Sequence, residues 1–125
     1  MFEVGSAIEF RARHVMPDVA GPEGKLHEHD YRLDVVLERE LLDERGMVCD
    51  LDVLDAALAR LGDRVRDKDL EIIRPADADA VTVEVFAKWA YEFLANGLRG
   101  AGAETLSVRV WESPTAFGGH RGRLQ

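Results

Sequence analysis

The sequence lacks several features that would place it outside the ordinary globular class. Its one cysteine, Cys49, has no partner for an internal disulfide, so an oxidising compartment is not required. No apolar run approaches the ~18 residues of a membrane span. The first ten residues lack the basic start and continuous apolar stretch of a secretory signal. We therefore predict a cytoplasmic protein that does not enter a membrane.

Positive charge is also scarce. The 16 Lys and Arg residues are outnumbered by 24 Asp and Glu, which gives a net charge of −8 and a pI near 4.9. Nucleic acid is not an expected partner, because its recognition needs a basic surface that neutralises phosphates. A small anionic ligand is still compatible, since a local pocket can oppose the sign of the whole chain.

Length and composition favour a single folded unit. The chain has 125 residues, of which 46% are hydrophobic and 32% are charged. These values are typical of one globular domain rather than of disorder or a repeat. We expect one domain over residues 1–125.

Apolar and polar residues alternate in two segments, with the period of a half-buried strand. The apolar positions are even between residues 2 and 14 and odd between residues 27 and 37. His14, His27 and His29 are in phase with these apolar positions. A loop rich in proline and glycine separates the segments, and strands joined by a short loop most simply pair antiparallel. The three histidines should then meet at one end of the pair.

Apolar residues at helical spacing predict two helices farther along the chain. The first begins after a candidate N-cap at Asp50 and ends at Gly62, whereas the second runs from about Thr82 to Asn96, which precedes a glycine. Residues 63–80 are charged and are predicted to be mostly loop.

A third strand is predicted over residues 104–112, with Glu112 on its apolar side. The glycine-rich tail that follows contains His120 and has no predicted role. The order β-β-α-α-β indicates an α+β fold with an antiparallel sheet.

The histidines offer the clearest chemistry. Three neutral imidazoles with an open fourth position are typical of catalytic zinc, which binds substrate or polarises an oxygen there. His14, His27 and His29 would be the ligands. The alternative is that they are core histidines satisfied by hydrogen bonds.

Two carboxylates could serve the same site. Glu112 could accept two parallel N–H bonds from a heterocycle edge, or it could be a solvated residue at the end of a strand. Glu23 lies four residues before His27 and could be a general base, or only a surface charge. Cys49 is better explained as a small buried thiol, and Trp89 and Phe93 as core residues.

Five segments resemble, in order and spacing, the 6-pyruvoyl-tetrahydropterin synthase / 6-carboxy-tetrahydropterin synthase family. They are FRARH (10–14), HEHDY (27–31), GMVCDLDVL (46–54), VTVEVFAKWA (81–90) and VRVWES (108–113). The resemblance implies a T-fold (tunnelling fold), which is a four-stranded antiparallel sheet with two helices on one face. It also implies homo-trimers, often stacked into homo-hexamers, with active sites at subunit interfaces.

The same resemblance implies a site. His14, His27 and His29 would bind Zn²⁺, and Glu112 would anchor a pterin ring with Thr82 nearby. The substrate would be 7,8-dihydroneopterin triphosphate or a relative, whose side-chain hydroxyls zinc would polarise. No organic cofactor would be needed.

The chain departs from the family pattern in its acid–base residues. Glu23 stands where the family has its catalytic cysteine, and Glu28 replaces the middle glycine of His-Gly-His. The family's Asp–His relay falls on Val65, Arg66 and Asp67, so the relay histidine is missing. Family members with glutamate at the cysteine position resemble enzymes that release 6-hydroxymethyl-dihydropterin. By this resemblance Glu23 is the base and Asp67 its proton partner.

Three functions are compatible with these residues. The first is a zinc-dependent pterin lyase that uses Glu23. The second is a zinc- and pterin-binding homologue without synthase activity, acting as a sensor or assembly partner. The third is a zinc hydrolase of an unrelated small molecule.

Overall fold

The computed structural model describes residues 1–124. In chain order its main elements are β1 (Phe2–His14), β2 (His27–Arg39), α1 (Leu51–Val65), α2 (Val83–Leu98), β3 (Thr105–Trp111) and β4 (Phe117–Arg123). Short 3-10 helices lie at Pro22–Gly24 and Leu70–Ile73. The strands form one antiparallel sheet in the order β1-β2-β3-β4, with both helices on one face. The α+β class and the architecture that the resemblance implies are confirmed.

Strands β1 and β2 pair along their full length of 13 residues each. Opposite residues include His14 with His27, and Ala12 with His29. Because side chains alternate between the two faces of a strand, all three histidines project from the same face of the sheet. The predicted meeting of the histidines at one end of the pair is confirmed.

The apolar face of the sheet is covered by the two helices. Asp50 and Thr82 cap their N-termini through side-chain oxygens that accept backbone N–H bonds from Asp52 and Val85, which confirms the N-cap predicted at Asp50. Each helix buries one apolar stripe against the strands, and these residues include Leu54, Leu58, Leu61, Phe86, Ala90 and Leu94. No helix among residues 1–124 is long and apolar enough to cross a membrane.

Glycines predicted to end the helices lie inside them instead. Helix α1 continues through Gly62 to Val65, and Gly62 is buried. Helix α2 likewise continues through Gly97 to Leu98. Gly62 has no positive φ and does not reverse the chain, and an added Cβ there would meet only the end of the Arg66 side chain at 3.1 Å and Ile8 at 3.5 Å, so these end-points were wrong.

The β-β-α-α-β order was incomplete, because it missed strand β4 in the glycine-rich tail. This segment lacks the β-branched and aromatic residues that usually identify a strand. Its glycines instead fit under α2: a Cβ at Gly118 would lie 2.7 Å from Val83 Cγ2, and one at Gly122 would lie 2.6 Å from the Tyr91 hydroxyl. His120, given no role above, packs its ring on Tyr91 with 4.7 Å between ring centroids.

One apolar residue of the alternation in β1 is exposed. Phe2 is 51% exposed, although it is in phase with the buried residues of β1. It borders a cavity of about 420 Å³ that also contacts Met47, Cys49 and Leu51. Cys49 itself is buried and free, and burial raises the pKa of its thiol, as expected for a structural cysteine.

We predict that Gly118→Ala destabilises the protein by about 1–3 kcal/mol, because the new methyl group would overlap the first turn of α2. The matched control is Gly97→Ala, whose nearest obstacle is the flexible end of Arg60 and which adds helix propensity. Urea unfolding followed by circular dichroism should show no loss of stability for Gly97→Ala. Equal destabilisation by the two variants would contradict the tight β4–α2 contact.

Candidate metal centre and active site

Four side chains of ligand type meet where β1 ends and β2 begins. His14 is the last residue of β1, and His27 and His29 are the first and third residues of β2. Glu23 comes from the 3-10 helix in the connecting loop. One ligand atom of each residue lies within 4.8 Å of the others. Among residues 1–124 this is the only such group of three or more His, Cys, Asp or Glu side chains.

The connecting loop places Glu23 over His27. The backbone carbonyl of Glu23 accepts a hydrogen bond from the backbone N–H of Met16 (2.9 Å), which ties the loop to the end of β1. Gly24 has no room for a side chain, because an added Cβ would collide with the carbonyl of Val19. The local sequence thus favours a tight loop that directs the Glu23 carboxylate towards the histidines.

His27 shows that this cluster has more acceptors than donors. Its Nδ1 lies 2.7 Å from the carbonyl of Lys25, which can only accept, so Nδ1 carries the proton and Nε2 presents a lone pair. That Nε2 is 3.0 Å from His29 Nε2 and 3.1 Å from Glu23 Oε2. A cation among these atoms would be within reach of all three side chains. The Lys25 carbonyl would orient the ring, as is typical of metal-bound histidine.

His14 is the buried member of the group, with 4% of its surface exposed. Neither ring nitrogen has a hydrogen-bond partner, and leaving such a group unpaired costs about 1–3 kcal/mol. Burial first, and then the neighbouring His27 and His29, lower the pKa of His14 and keep the ring neutral. The alternative of a core histidine satisfied by hydrogen bonds does not describe His14. Three imidazoles and a carboxylate fit the ligands that zinc takes.

A cavity of about 930 Å³ begins beside the histidines. Strand β3 pairs with β2 only from Arg32 onwards, so β2 has no neighbour on that side nearer its start. The residues that line this opening from the apolar face include His29, Tyr31 and Glu112. Glu112 is half-buried directly after β3, and the register places it beside Tyr31. The structure therefore brings the predicted anchor next to the predicted metal site.

Tyr31 is a site residue that was not singled out from the sequence. It is 2% exposed, and its ring centroid lies 5.7 Å from that of His29 and 6.4 Å from that of His14. Burial, and then the charges of Glu112 and Glu23, raise the pKa of Tyr31, so its hydroxyl is protonated at neutral pH. The alternation that identified the histidines also includes Tyr31, and it could have predicted from the sequence that Tyr31 lies on the same face as His27 and His29.

Thr82 and Asp67 have other contacts. Thr82 is half-buried, and its hydroxyl oxygen accepts the Val85 N–H at 3.1 Å as the cap of α2. Asp67 is exposed and has a positive φ of 59°. Its backbone N–H donates to the carbonyl of Arg11, on the side of β1 opposite β2. Asp67 is not part of the histidine group.

Comparison with known proteins agrees with this geometry. The sequence profile of the family described as 6-pyruvoyl tetrahydropterin synthase matches residues 3–122. The chain belongs to this family. A search of curated proteins found no match to the sequence.

Solved structures share the fold of this family member. Caenorhabditis elegans 6-pyruvoyl tetrahydropterin synthase has a TM-score of 0.74 and 21% identity, covering 97% of this chain and 95% of that chain. The Plasmodium vivax synthase has a TM-score of 0.77 and 13% identity, covering 98% and 99%. A P. vivax variant described as a catalytic residue mutant, in which a glutamate is replaced by alanine, has a TM-score of 0.76 and 14% identity, covering 98% and 99%.

We predict that Zn²⁺ raises the thermal unfolding midpoint of the protein, and that His14→Leu removes this increase. Binding to the folded state alone stabilises by about 2.7 kcal/mol at a hundredfold excess over Kd. His120→Leu is the matched control, because it deletes the histidine of β4 that lies outside the group. Calorimetric scans with and without Zn²⁺ measure the increment. An unchanged increment in His14→Leu would rule out His14 as a ligand.

Proposed function

We propose that this chain is a zinc-dependent enzyme that acts on the side chain of 7,8-dihydroneopterin or its phosphates, with Glu23 in place of the family's cysteine base. The observation that carries this proposal is the Glu23 carboxylate, 3.1 Å from His27 Nε2, beside a cavity that also contains Glu112. The P. vivax variant supports it, because its description makes a glutamate a catalytic residue within this family.

His14, His27 and His29 would hold the metal. Bound there, zinc would supply a Lewis acid that makes a substrate hydroxyl more acidic. The Glu23 side chain is 54% exposed, so a substrate can reach it, and it can take a proton from the substrate side chain. Because the loop ties Glu23 to the end of β1, the position of the base would be fixed relative to the metal ligands.

Glu112 would anchor the pterin ring. A carboxylate can accept two parallel N–H bonds from the amino and ring nitrogens of a pterin, which fixes the orientation of the ring. The Thr82 hydroxyl accepts from Val85 and still has its own proton to donate, so it can assist at the edge of the site. Tyr31 adds a neutral hydroxyl beside Glu112.

Asp67 acts only if the protein assembles. It lies on the exposed side of β1, which is an edge of the sheet, as is β4. Both edge strands present backbone groups that have no partner strand within residues 1–124. Pairing of such edges between copies would give a head-to-tail ring, such as a trimer or a pair of stacked trimers. In such a ring Asp67 would face a neighbouring copy and serve as a proton partner at the interface.

We predict that Glu23→Gln lowers kcat on 7,8-dihydroneopterin or its triphosphate by at least about 100-fold, because the amide cannot accept the proton. Zinc and pterin affinities should change far less. Chromatography of the pterin products measures turnover, and calorimetry measures binding.

The control for this variant is Glu44→Gln, which alters an exposed glutamate in the turn before α1. Full activity in Glu23→Gln would contradict the proposed base. Tight pterin binding without any turnover in the wild type would instead support the zinc- and pterin-binding homologue.

We also predict that Glu112→Gln weakens pterin binding by about 10–100-fold, the range expected when a charged hydrogen-bond partner is removed. Fluorescence titration with a pterin product measures this. Zinc affinity should be unchanged, since Glu112 is outside the ligand group. A zinc hydrolase of an unrelated substrate would show neither pterin binding nor an effect of this variant.

A further inference from the structure

The hydroxyl of Tyr31 lies in the site without a protein partner. Granting the proposed function, we infer that this hydroxyl donates a hydrogen bond to N5, the imine nitrogen of a bound dihydropterin, and thereby stabilises the charge that develops when the side chain reacts. The hydroxyl is unpaired, its ring is held in place, and it lies on the same face as the histidines and Glu112.

The Tyr31 hydroxyl borders open space, although the residue is almost wholly buried. Among residues 1–124 it forms no hydrogen bond to another group. The enclosed polar side-chain atoms that lack a partner in this part of the chain are the two ring nitrogens of His14. The Tyr31 oxygen is therefore not enclosed, and it opens on the cavity that Tyr31 lines together with His29 and Glu112. Because a buried phenol hydroxyl usually has a partner, this one is available to a ligand.

Tyr31 lies between the groups proposed to hold the two ends of the substrate. On one side, its ring centroid is 5.7 Å from that of His29. On the other side, the last pair of the β2–β3 register is Arg32 with Trp111, so the next position along each strand sets Tyr31 opposite Glu112. Side chains at opposite positions on one face have Cβ atoms about 4.5–5.5 Å apart. Tyr31 is therefore adjacent both to the histidine group and to the proposed ring anchor.

Aromatic packing holds the Tyr31 ring in place. Phe10 stacks on it with 5.7 Å between ring centroids, and Phe86 of α2 packs edge-on at 5.5 Å. The ring of His14 is also edge-on, at 6.4 Å. Because the ring is packed on several sides, little freedom remains to be lost when its hydroxyl binds a ligand. A donor fixed in this way is suited to stabilise charge that develops during a reaction.

A pterin has a matching acceptor between its two ends. If Glu112 accepts from the 2-amino group and N3–H, the adjoining edge of the ring carries the carbonyl O4 and then N5, and the side chain follows at C6. N5 has a lone pair and no proton, so it accepts the hydrogen bond that the Tyr31 hydroxyl donates. Because Tyr31 packs against His29, its partner is N5, the acceptor nearer the side chain, rather than O4.

This hydrogen bond would become stronger as the side chain reacts. Glu23 can take a proton from C1′, or it can take the hydroxyl proton from C2′ while the C1′–C2′ bond breaks and the C2′ fragment leaves as an aldehyde. In both cases Glu23 holds the proton, and the electron pair left on C1′ delocalises through C6 onto N5. N5 is then more negative than in the bound substrate, so a donor to N5 lowers the barrier.

The variant Tyr31→Phe removes the hydroxyl and keeps the ring. Its binding test uses 6-hydroxymethylpterin and the 5-deaza analogue, in which a CH group replaces N5. We expect the wild type to bind the pterin at least about threefold more tightly than the analogue, which is the effect of one neutral hydrogen bond. In Tyr31→Phe the two Kd values should be nearly equal. Calorimetry measures both, and turnover is not needed.

The same variant is tested for activity on 7,8-dihydroneopterin. We expect Tyr31→Phe to lower kcat at least about tenfold with a smaller change in KM, because the hydrogen bond is strongest in the transition state. The matched control is Tyr91→Phe, which removes the hydroxyl that donates to the carbonyl of Arg123 at 2.9 Å, outside the cavity. This control should change neither the ratio of Kd values nor kcat. The rise of the unfolding midpoint with Zn²⁺ should persist in Tyr31→Phe, which checks that the histidine group is intact.

The outcomes separate this inference from the proposed function. The inference requires that the wild type prefers the compound with N5, and that Tyr31→Phe loses both this preference and kcat. If any of these effects is absent while the wild type turns over its substrate, the inference is wrong and the function stands. Pterin binding without turnover in the wild type would overturn the function, and the ratio of Kd values would then decide the contact with N5. If the wild type binds neither pterin compound, both proposals are wrong.

Discussion

The antiparallel pairing of β1 with β2 is the constraint on which the site depends. It sets His14 opposite His27 and Ala12 opposite His29, so three imidazoles share one face and one end of the sheet. A slip of one residue in this register would move His14 to the other face, away from its partners. The pairing runs over 13 residues of each strand and is reinforced by apolar side chains on the helix-covered face. Packing of the core thus specifies the geometry of the histidine group.

This geometry stores unfavourable contacts. His14 is buried with both ring nitrogens unpartnered, and Nε2 of His27 lies 3.0 Å from Nε2 of His29. Such an arrangement costs stability in the protein alone, and a bound cation would recover it. On the uncovered side of the sheet the opposite holds, because Arg11 and Arg32 are satisfied by neighbouring carboxylates. A cation would therefore fit on the helix-covered face at the start of β2, where the histidines lie.

Glycine was the residue type that the sequence patterns interpreted least well. Gly62 and Gly97 predicted helix ends, and no strand was predicted in the glycine-rich tail. Gly62 and Gly97 instead lie inside their helices, and Gly118 lacks a side chain where β4 passes beneath the first turn of α2. Local turn preference and tertiary close packing select the same residue, and a single sequence cannot separate them. The helices themselves, with N-caps at Asp50 and Thr82, were predictable because capping is a local interaction.

Periodicity alone was sufficient to place His14, His27 and His29 on one face, since side-chain direction along a strand follows from its two-residue period. The same local reasoning identified Glu23 and Glu112 as candidates but could not decide between a site and a solvated surface. The fold sets where these two residues lie, because a backbone hydrogen bond ties the loop of Glu23 to Met16 and β3 ends before it reaches the start of β2. The pairing of cavity arginines with carboxylates was also beyond the sequence. Such contacts depend on cross-strand distances, which exist only once the register is formed.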